Sequence, residues 1–342
     1  MSASTPPSRP AGGTGLRASD GPLVRAYDVA LFDLDGVVYL DGQAVPHAVE
    51  VVAAAEAAGQ RRAFVTNNAL RQPAEVAARL TALGVDTDET EIVTSAQAAA
   101  RELAARVPAG SRVLVCGGRG LVAAVEERGL VPVTRADDDP VAVTTGYDPV
   151  VDYARLAETC LALRAGWPWV ASNTDATVPT PRGQLPGAGA TVSFLTTASG
   201  RTPDVVAGKP HPALHRESVL RTGATAPLII GDRLDTDIEG ARNAAVDSLL
   251  VLTGVTSLAD LLRPGPRPTF LAADLRGLLA AHPDPAATGW SVARDGDRLV
   301  ATPPTMPRMG DDGLDGWRTA LAVAWADAEA GVTTREVAGL PS

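Results

Sequence analysis

Leu31-Phe32-Asp33-Leu34-Asp35-Gly36-Val37-Val38-Tyr39 reads as the end of a buried apolar strand that delivers two carboxylates, one residue apart, into a glycine-opened turn. The strand leading into it, predicted over Ala26 to Phe32, has the near-continuous apolar character of a central parallel strand covered on both faces. Carboxylates at the C-terminal end of such a strand stand where ligands bind in open α/β sheets.

The chain around this stretch repeats the pattern. A helix over Val49 to Ala58 is stopped by Gly59, a strand from Arg62 to Thr66 ends in Asn67-Asn68, and Pro73 opens a helix that closes at Gly84. Strand-like Glu91 to Thr94 then leads to a helix over Ser95 to Arg106. The same grammar resumes at Val205-Val206-Ala207, followed by Gly208-Lys209-Pro210 and a helix from about Ala213 to Thr222. The buried strand Pro227 to Ile230 runs into Gly231-Asp232-Arg233-Leu234-Asp235-Thr236-Asp237, then a helix through Ala245 and a strand from Ser248 to Leu252. These two segments, 23–108 and 205–282, predict one doubly wound, parallel-sheet, Rossmann-like α/β core.

Between them, residues 109–204 predict an inserted α/β domain. Within it Asn173 to Gly189, punctuated by Pro179, Pro181, Gly183, Pro186 and Gly187, is expected to be an irregular loop, with a helix over Ala190 to Ala198 after it. Gly117-Gly118-Arg119-Gly120 lacks the Lys-Ser/Thr of a P-loop and reads as a strand-to-helix turn. Residues 283–342 predict a small α+β extension: a hairpin around Asp295-Gly296-Asp297 and a helix over Leu314 to Glu329 with apolar spacing at Leu314, Trp317, Leu321 and Trp325. No motif assigns this extension a role.

The totals set outer bounds. A chain of 342 residues, 45% hydrophobic, has material for two or three domains with ordinary cores. A net charge of −10 gives no general basic surface, which argues against a nucleic-acid partner. No apolar run approaches the roughly 18 residues that span a bilayer, so no membrane partner is expected. The two cysteines, Cys116 and Cys160, have neither metal-ligand nor disulfide spacing and suit a reducing compartment. Residues 1–22, rich in Ser, Pro, Gly and Thr without the apolar core of a signal peptide, read as a disordered tail on a cytoplasmic protein. His47, His211, His215 and His282 have no mutual metal spacing and are expected at the surface or at helix starts.

Four stations stand at or just beyond predicted strand ends: Asp33/Asp35, Thr66-Asn67-Asn68, Lys209, and Asp232 with Asp237. Alone, Asp-x-Asp is a weak signal and Gly-Lys-Pro is a turn; together, in this order, they resemble the haloacid dehalogenase (HAD) superfamily. Asp33-Leu34-Asp35-Gly36-Val37-Val38-Tyr39 is similar to its first motif, Thr66 to its second, Lys209 to its third, and Gly231-Asp232 with Asp237 to its fourth. The Val-Thr-Asn-Asn and Gly-Lys-Pro forms and the large insertion resemble the 4-nitrophenylphosphatase-like, NagD-like subfamily (IIA), over about residues 23–282. The appended extension looks like an actinobacterial glycerol-3-phosphate phosphatase arrangement.

The resemblance implies an aspartyl-phosphate mechanism, with Asp33 as nucleophile and Asp35 as acid and then base. It implies Mg²⁺ held by the Asp33 side chain, the Asp35 backbone carbonyl and Asp232, supported by Asp237. Thr66, Asn67, Asn68 and Lys209 would hold the phosphoryl group, and the insertion would act as a cap. The chemistry is coherent with the residue types: a phosphomonoester dianion needs charge neutralisation, an in-line nucleophile and an acid for the leaving alkoxide. Gly36 permits the backbone to turn where both carboxylates must reach one substrate. In the cap, the segment Asn173-Thr174-Asp175 through Gly187 is the candidate for substrate selection, Asn173 and Asp175 first, and Asp235 reads as a solvated loop acid.

The substrate expected is a small phosphorylated metabolite, glycerol 3-phosphate first, with phosphoglycolate, sugar phosphates, pyridoxal phosphate and nucleoside monophosphates behind it. Phosphotransfer on the same core, a non-catalytic phospho-acceptor signalling protein and a silent binding protein are the competing readings. A homodimer through the cap is common in the resembling family.

Overall fold

The computed structural model describes residues 15–180 and 182–340. The first core segment comprises α1 (Leu23–Ala26), β1 (Val29–Phe32), a small hairpin of β2 (Tyr39–Leu40) and β3 (Gln43–Ala44), α2 (Ala48–Ala57), β4 (Arg61–Thr66), α3 (Pro73–Ala82), β5 (Ile92–Thr94) and α4 (Ser95–Ala104). The insertion contains β6 (Arg112–Cys116), α5 (Arg119–Glu127), β7 (Val131–Val133), β8 (Ala142–Thr145), α6 (Tyr153–Arg164), β9 (Trp169–Ala171), β10 (Thr177–Thr180), β11 (Gly183–Pro186), α7 (Ala188–Ser199) and β12 (Val205–Val206). The core returns with α8 (Pro212–Thr222), β13 (Pro227–Gly231), α9 (Glu239–Asn243), β14 (Asp247–Val251) and β15 (Phe270–Ala272), and β16 (Ser291–Asp295), β17 (Arg298–Thr302), α10 (Asp315–Glu329) and β18 (Glu336–Ala338) follow.

The core sheet is parallel throughout, ordered β15-β14-β13-β1-β4-β5. All four residues of β1 are buried because the strand lies inside the sheet, between β13 and β4, with helices over both faces. The strand order reverses around β1, so its carboxyl end opens onto the crevice of a doubly wound sheet. The cap sheet, β12-β9-β8-β6-β7, is parallel as well.

Several expectations are corrected. The stretch Asn173 to Gly189 contains a regular hairpin, β10 paired with β11 from Thr177↔Pro186 to Thr180↔Gly183, closed where the Thr180 hydroxyl donates to Gly183 O at 2.8 Å. Prolines suggested irregularity, but an isolated two-stranded ribbon leaves outer edges on which no ladder N–H is needed. Residues 205–206, assigned by sequence to the core, pair with β9 in the cap sheet, so the return to the core falls after Val206. The helix expected through Ala245 is a wide π-type turn, Leu234–Ile238, followed by the short α9.

Residues 15–22 of the expected tail are fastened to the core: Arg17 N–H bonds Thr269 O, Arg17 pairs with Asp247, and Ser19 N–H bonds His282 O. The first fourteen residues lie outside the described ones. His215 and His282 are buried rather than superficial, and His282 packs against Phe270.

The cap is joined to the core by a continuous apolar cluster. Leu31, Val65, Ala99 and Leu103 of the core pack in it with Val113, Leu121, Val125 and Val170 of the cap. Ion pairs ring this seam: Arg119 with Glu75, Arg221 with Glu127, and Arg128 with Glu217. Glu217 is fully buried and also accepts from Arg101 and Arg221. Burial is the largest influence on Glu217 and would raise its pKa, yet its arginine bonds hold it below the ordinary 4.5.

The C-terminal unit packs on the core. Trp317, Leu321 and Trp325 of α10 share a cluster with Ile238, Leu250, Leu261 and Leu271, and the Trp325 Nε1–H donates to Leu261 O at 2.8 Å. Buried Arg318 donates to Leu271 O at 2.7 Å.

Two outcomes follow from these contacts. Trp325→Ala is expected to cost about 3–5 kcal/mol in chemical denaturation, since it opens a cavity under α10 and orphans Leu261 O; a loss below about 1 kcal/mol would show that the extension is merely tethered. Glu217→Gln is expected to cost about 2 kcal/mol near neutrality. Because the folded-state pKa is depressed, the stability Glu217 contributes is present above its unfolded value and is lost as pH falls through the folded value. The gap between wild type and variant therefore closes on acidification below 4.5.

Candidate active site

β1 stops pairing at Asp33, whose N–H bonds Ile230 O at 2.8 Å, and the chain then turns so that Gly36 N–H bonds Tyr39 O at 2.8 Å. Gly36 has φ +83°, and a Cβ there would stand 2.6 Å from Asp232 Oδ2. The glycine both makes the turn and leaves room for the carboxylate arriving from β13.

At the floor of the site, the Lys209 ammonium is buried among acceptors. It donates to Asp33 Oδ1, to Asp237 Oδ1 at 2.7 Å and to Val65 O at 3.3 Å. Burial alone would lower the Lys209 pKa, but Asp237 and Asp33 raise it above the ordinary value, so the lysine stays charged. Asp237 also accepts from Arg233 N–H at 3.1 Å, which fixes it behind the lysine.

One buried cation faces three carboxylates. Ligand oxygens of Asp33, Asp232 and Asp237 lie within 4.8 Å of one another. Burial, opposed by Lys209 and reinforced by the Asp237 and Asp232 charges, holds Asp33 well above the usual carboxylate range. Asp232 is pushed up to about 6, first by burial and then by the Asp237 charge. Asp232 Oδ2 accepts from Val255 N–H at 2.7 Å, whereas its buried Oδ1 has no hydrogen-bond partner. An orphaned carboxylate oxygen in an under-neutralised all-oxygen cluster fits a hard divalent cation.

The sequence-predicted residues converge. Asp33, Asp35, Thr66, Asn67, Asn68, Asn173, Asp175 and Lys209 line a single cleft of about 170 Å³, with Asp232 and Asp237 buried beneath it. The Asp35 carboxylate stands outside the three-acid cluster, open to the cleft, and accepts from the Tyr39 hydroxyl at 3.4 Å. The protein around it raises its pKa, chiefly by burial.

Thr66 Oγ1 accepts from Asn68 N–H at 3.1 Å, so that N–H is engaged rather than free. The Asn68 side chain accepts from the Leu70 and Arg71 N–H groups and shapes the loop. Asp235 is exposed and paired with Arg233 at 2.7 Å. Gly118 and Gly120 begin α5 in the cap, where Gly120 N–H bonds Leu70 O of the core at 2.9 Å.

Tyr147 and Arg233 also line the cleft and were not anticipated; Val178 and Pro179 line it too and lie in the 173–187 segment expected to select substrate. Tyr147 follows β8 and Arg233 follows β13, each by two residues, so the strand-end rule could have found both. For Val178 and Pro179 the sequence pointed to the segment but not to its hairpin form.

Residues 30–131 match the family described as haloacid dehalogenase-like hydrolase, and residues 206–278 match the HAD-hydrolase-like family. The chain is 43% identical over 319 residues to the D-glycerol 3-phosphate phosphatase of Mycobacterium tuberculosis, covering 89% of this chain and 87% of the relative. It is 35% identical to a 5′-nucleotidase of Bacillus subtilis, covering 72% of this chain and 95% of the relative. Among solved structures, glycerol phosphate phosphatase from M. tuberculosis in complex with magnesium superposes with a TM-score of 0.84 at 43% identity, over 93% of this chain and 95% of that one. A 4-nitrophenylphosphatase from Thermotoga maritima gives 0.70 at 30% identity, over 75% of this chain and 98% of that one. A quarter of this chain thus lies outside the Thermotoga match, whereas the mycobacterial match extends into the C-terminal unit. No helix among the described residues is long and apolar enough to cross a membrane. By sequence over both halves of the core sheet, and by fold over nearly its whole length, the chain belongs to the haloacid dehalogenase-like hydrolases.

Proposed function

We propose that the protein is a cytoplasmic, Mg²⁺-dependent phosphatase of a small phosphorylated metabolite, glycerol 3-phosphate. The observation that carries this reading is the buried Lys209 ammonium shared by Asp33 and Asp237 at the base of a cleft whose wall presents Asp35.

The Asp33 carboxylate attacks phosphorus in line, and the bond from phosphorus to the ester oxygen breaks, leaving an aspartyl-phosphate. Asp35 gives its proton to the departing alkoxide oxygen. As a carboxylate it then takes a proton from the water that attacks phosphorus, which frees inorganic phosphate and restores Asp33. A raised pKa suits Asp35 to arrive protonated. Lys209 holds a phosphoryl oxygen and tempers the Asp33 charge, and the Thr66 hydroxyl and the Asn67 N–H complete the cradle, with Asn68 shaping the loop beside them.

The Asp33 and Asp232 carboxylates and the Asp35 backbone carbonyl would hold Mg²⁺, with Asp237 in support; the cation supplies neutralisation of the phosphoryl charge. The cap closes the cleft from above through Tyr147, Asp175, Val178 and Pro179 and limits water around the phosphorus.

The preference for a polyol phosphate is supported by the mycobacterial relative's name and by the shared C-terminal unit. A cleft of about 170 Å³ also favours a small substrate, being below the roughly 300–1,000 Å³ of pockets that enclose drug-sized ligands. Two free cysteines support the cytoplasmic assignment. Tyr153 and Leu161 on α6 and Phe194 on α7 are exposed and support a homodimer through the cap.

Phosphate release from glycerol 3-phosphate and 4-nitrophenyl phosphate, with and without Mg²⁺, tests the activity. Asp33→Asn is expected to lower kcat at least about a thousandfold; an active Asp33→Asn enzyme, or a wild type indifferent to Mg²⁺, would sink the mechanism. Mg²⁺ is expected to raise the wild-type melting temperature and to leave that of Asp232→Asn unmoved. In a panel of phosphoglycolate, sugar phosphates, pyridoxal phosphate and nucleoside monophosphates, glycerol 3-phosphate is expected to show the highest kcat/KM; a nucleotide in first place would remove the substrate assignment.

A further inference from the structure

Asn67 is the residue at which the cap, the end of β4 and the Lys209 backbone meet. Its side-chain Oδ1 accepts from Lys209 N–H at 2.8 Å, while Nδ2 donates to Lys209 O at 3.1 Å and to the Asp175 carboxylate oxygens at 3.2 and 3.3 Å. Its backbone carbonyl accepts from Ser95 Oγ at 2.6 Å and from the cap's Asn173 Nδ2 at 2.7 Å. A primary amide offers two donor protons and one acceptor oxygen. Here one face of the amide fixes the lysine's peptide and the other grips the cap, which leaves no Nδ2 proton for a substrate.

The surroundings make this junction tight. Ala207 N–H bonds Ala171 O in the cap, and the chain then passes Gly208, where a Cβ would stand 2.6 Å from Asn67 Oδ1 and 2.8 Å from Asn173 Cβ. The link that carries the chain from cap to core is therefore pressed against Asn67 immediately before Lys209. A cap displaced from its seat takes Asp175 and Asn173 with it, and strips Asn67 of its cap partners while it still holds the lysine.

We propose that Asn67 is a positioning residue that couples the seating of the cap, through Asp175, to the placement of Lys209 beneath the phosphoryl group. The inference rests on the phosphatase reading for its kinetic part, and its geometric part stands without it.

An exchange of donor and acceptor tests the coupling. Asn67→Asp places an oxygen against both the Asp175 carboxylate and Lys209 O. It is expected to lower kcat for glycerol 3-phosphate about a hundredfold while KM stays within about threefold, because phosphoryl contacts tighten in the transition state. Asp175→Asn alone keeps an acceptor for Asn67 and is expected to cost less than about fivefold in kcat. The Asn67→Asp/Asp175→Asn pair restores a donor between cap and core and is expected to recover at least about tenfold of the loss, with the thermal midpoint recovering in parallel. Independent, multiplying losses in both kcat and thermal midpoint would overturn the proposal. So would a rise in KM at unchanged kcat, the signature of a side chain that binds substrate directly. If the wild type releases no phosphate, the phosphatase reading fails on its own, and the thermal cycle between positions 67 and 175 still decides whether the junction is coupled.

Discussion

The charge balance around the Lys209 ammonium is the constraint on which the site depends. Three carboxylates, Asp33, Asp232 and Asp237, converge at the carboxyl ends of β1 and β13, and a single buried lysine offsets them. Lys209 offsets the repulsion between carboxylates packed this closely in a low-dielectric interior. Even with it, burial and the neighbouring carboxylates hold Asp33 well above the usual carboxylate range, so the cluster still calls for the added positive charge of a divalent cation. The backbone follows from this demand: Gly36 clears space for Asp232, and Asp237 is tied back by the Arg233 N–H.

The cap is built as an integral part of this arrangement. Its sheet shares an apolar cluster with the core, its helix α5 is edged by ion pairs to α3 and α8, and its Asn173 and Asp175 reach the loop after β4. A cap seated by so much buried apolar surface is costly to remove. Its hairpin of β10 and β11 brings Val178 and Pro179 over the cleft, so variation of a short ribbon can change what fits without disturbing the seat. The C-terminal unit occupies a separate flank of the core, where Trp317 and Trp325 cover residues of β14 and β15 that would otherwise face water.

The core was legible because its strands carry period and punctuation together: β1, β4 and β13 are short apolar runs that each end in polar residues with chemistry. Asp33, Asp35, Thr66 and Asp232 stand at or just beyond those ends, Lys209 stands just beyond β12, and the five are neighbours in space. The hairpin was not legible, because prolines and glycines mark loops and edge ribbons alike. Nor was the membership of Val205 and Val206 in the cap sheet, since two residues carry no period and a partner in β9 is invisible locally. The docked residues 15–22 hide in a Ser-, Gly- and Pro-rich composition, although Arg17 finds Asp247 and Leu16 packs on the α10 cluster. The double engagement of the Asn67 amide could not be read either, because Asp175 is 108 residues away in sequence.

The central claim is that Asp33, and not Asp35, forms a bond to phosphorus. The most direct measurement is a rapid acid quench of enzyme turning over glycerol 3-phosphate in Mg²⁺, followed by borohydride reduction of any acyl phosphate to the alcohol and mass spectrometry of the peptides. The account predicts a reduced side chain at position 33 that appears only with substrate. Reduction at position 35, or no reduced carboxylate in an enzyme that is demonstrably turning over, would contradict it.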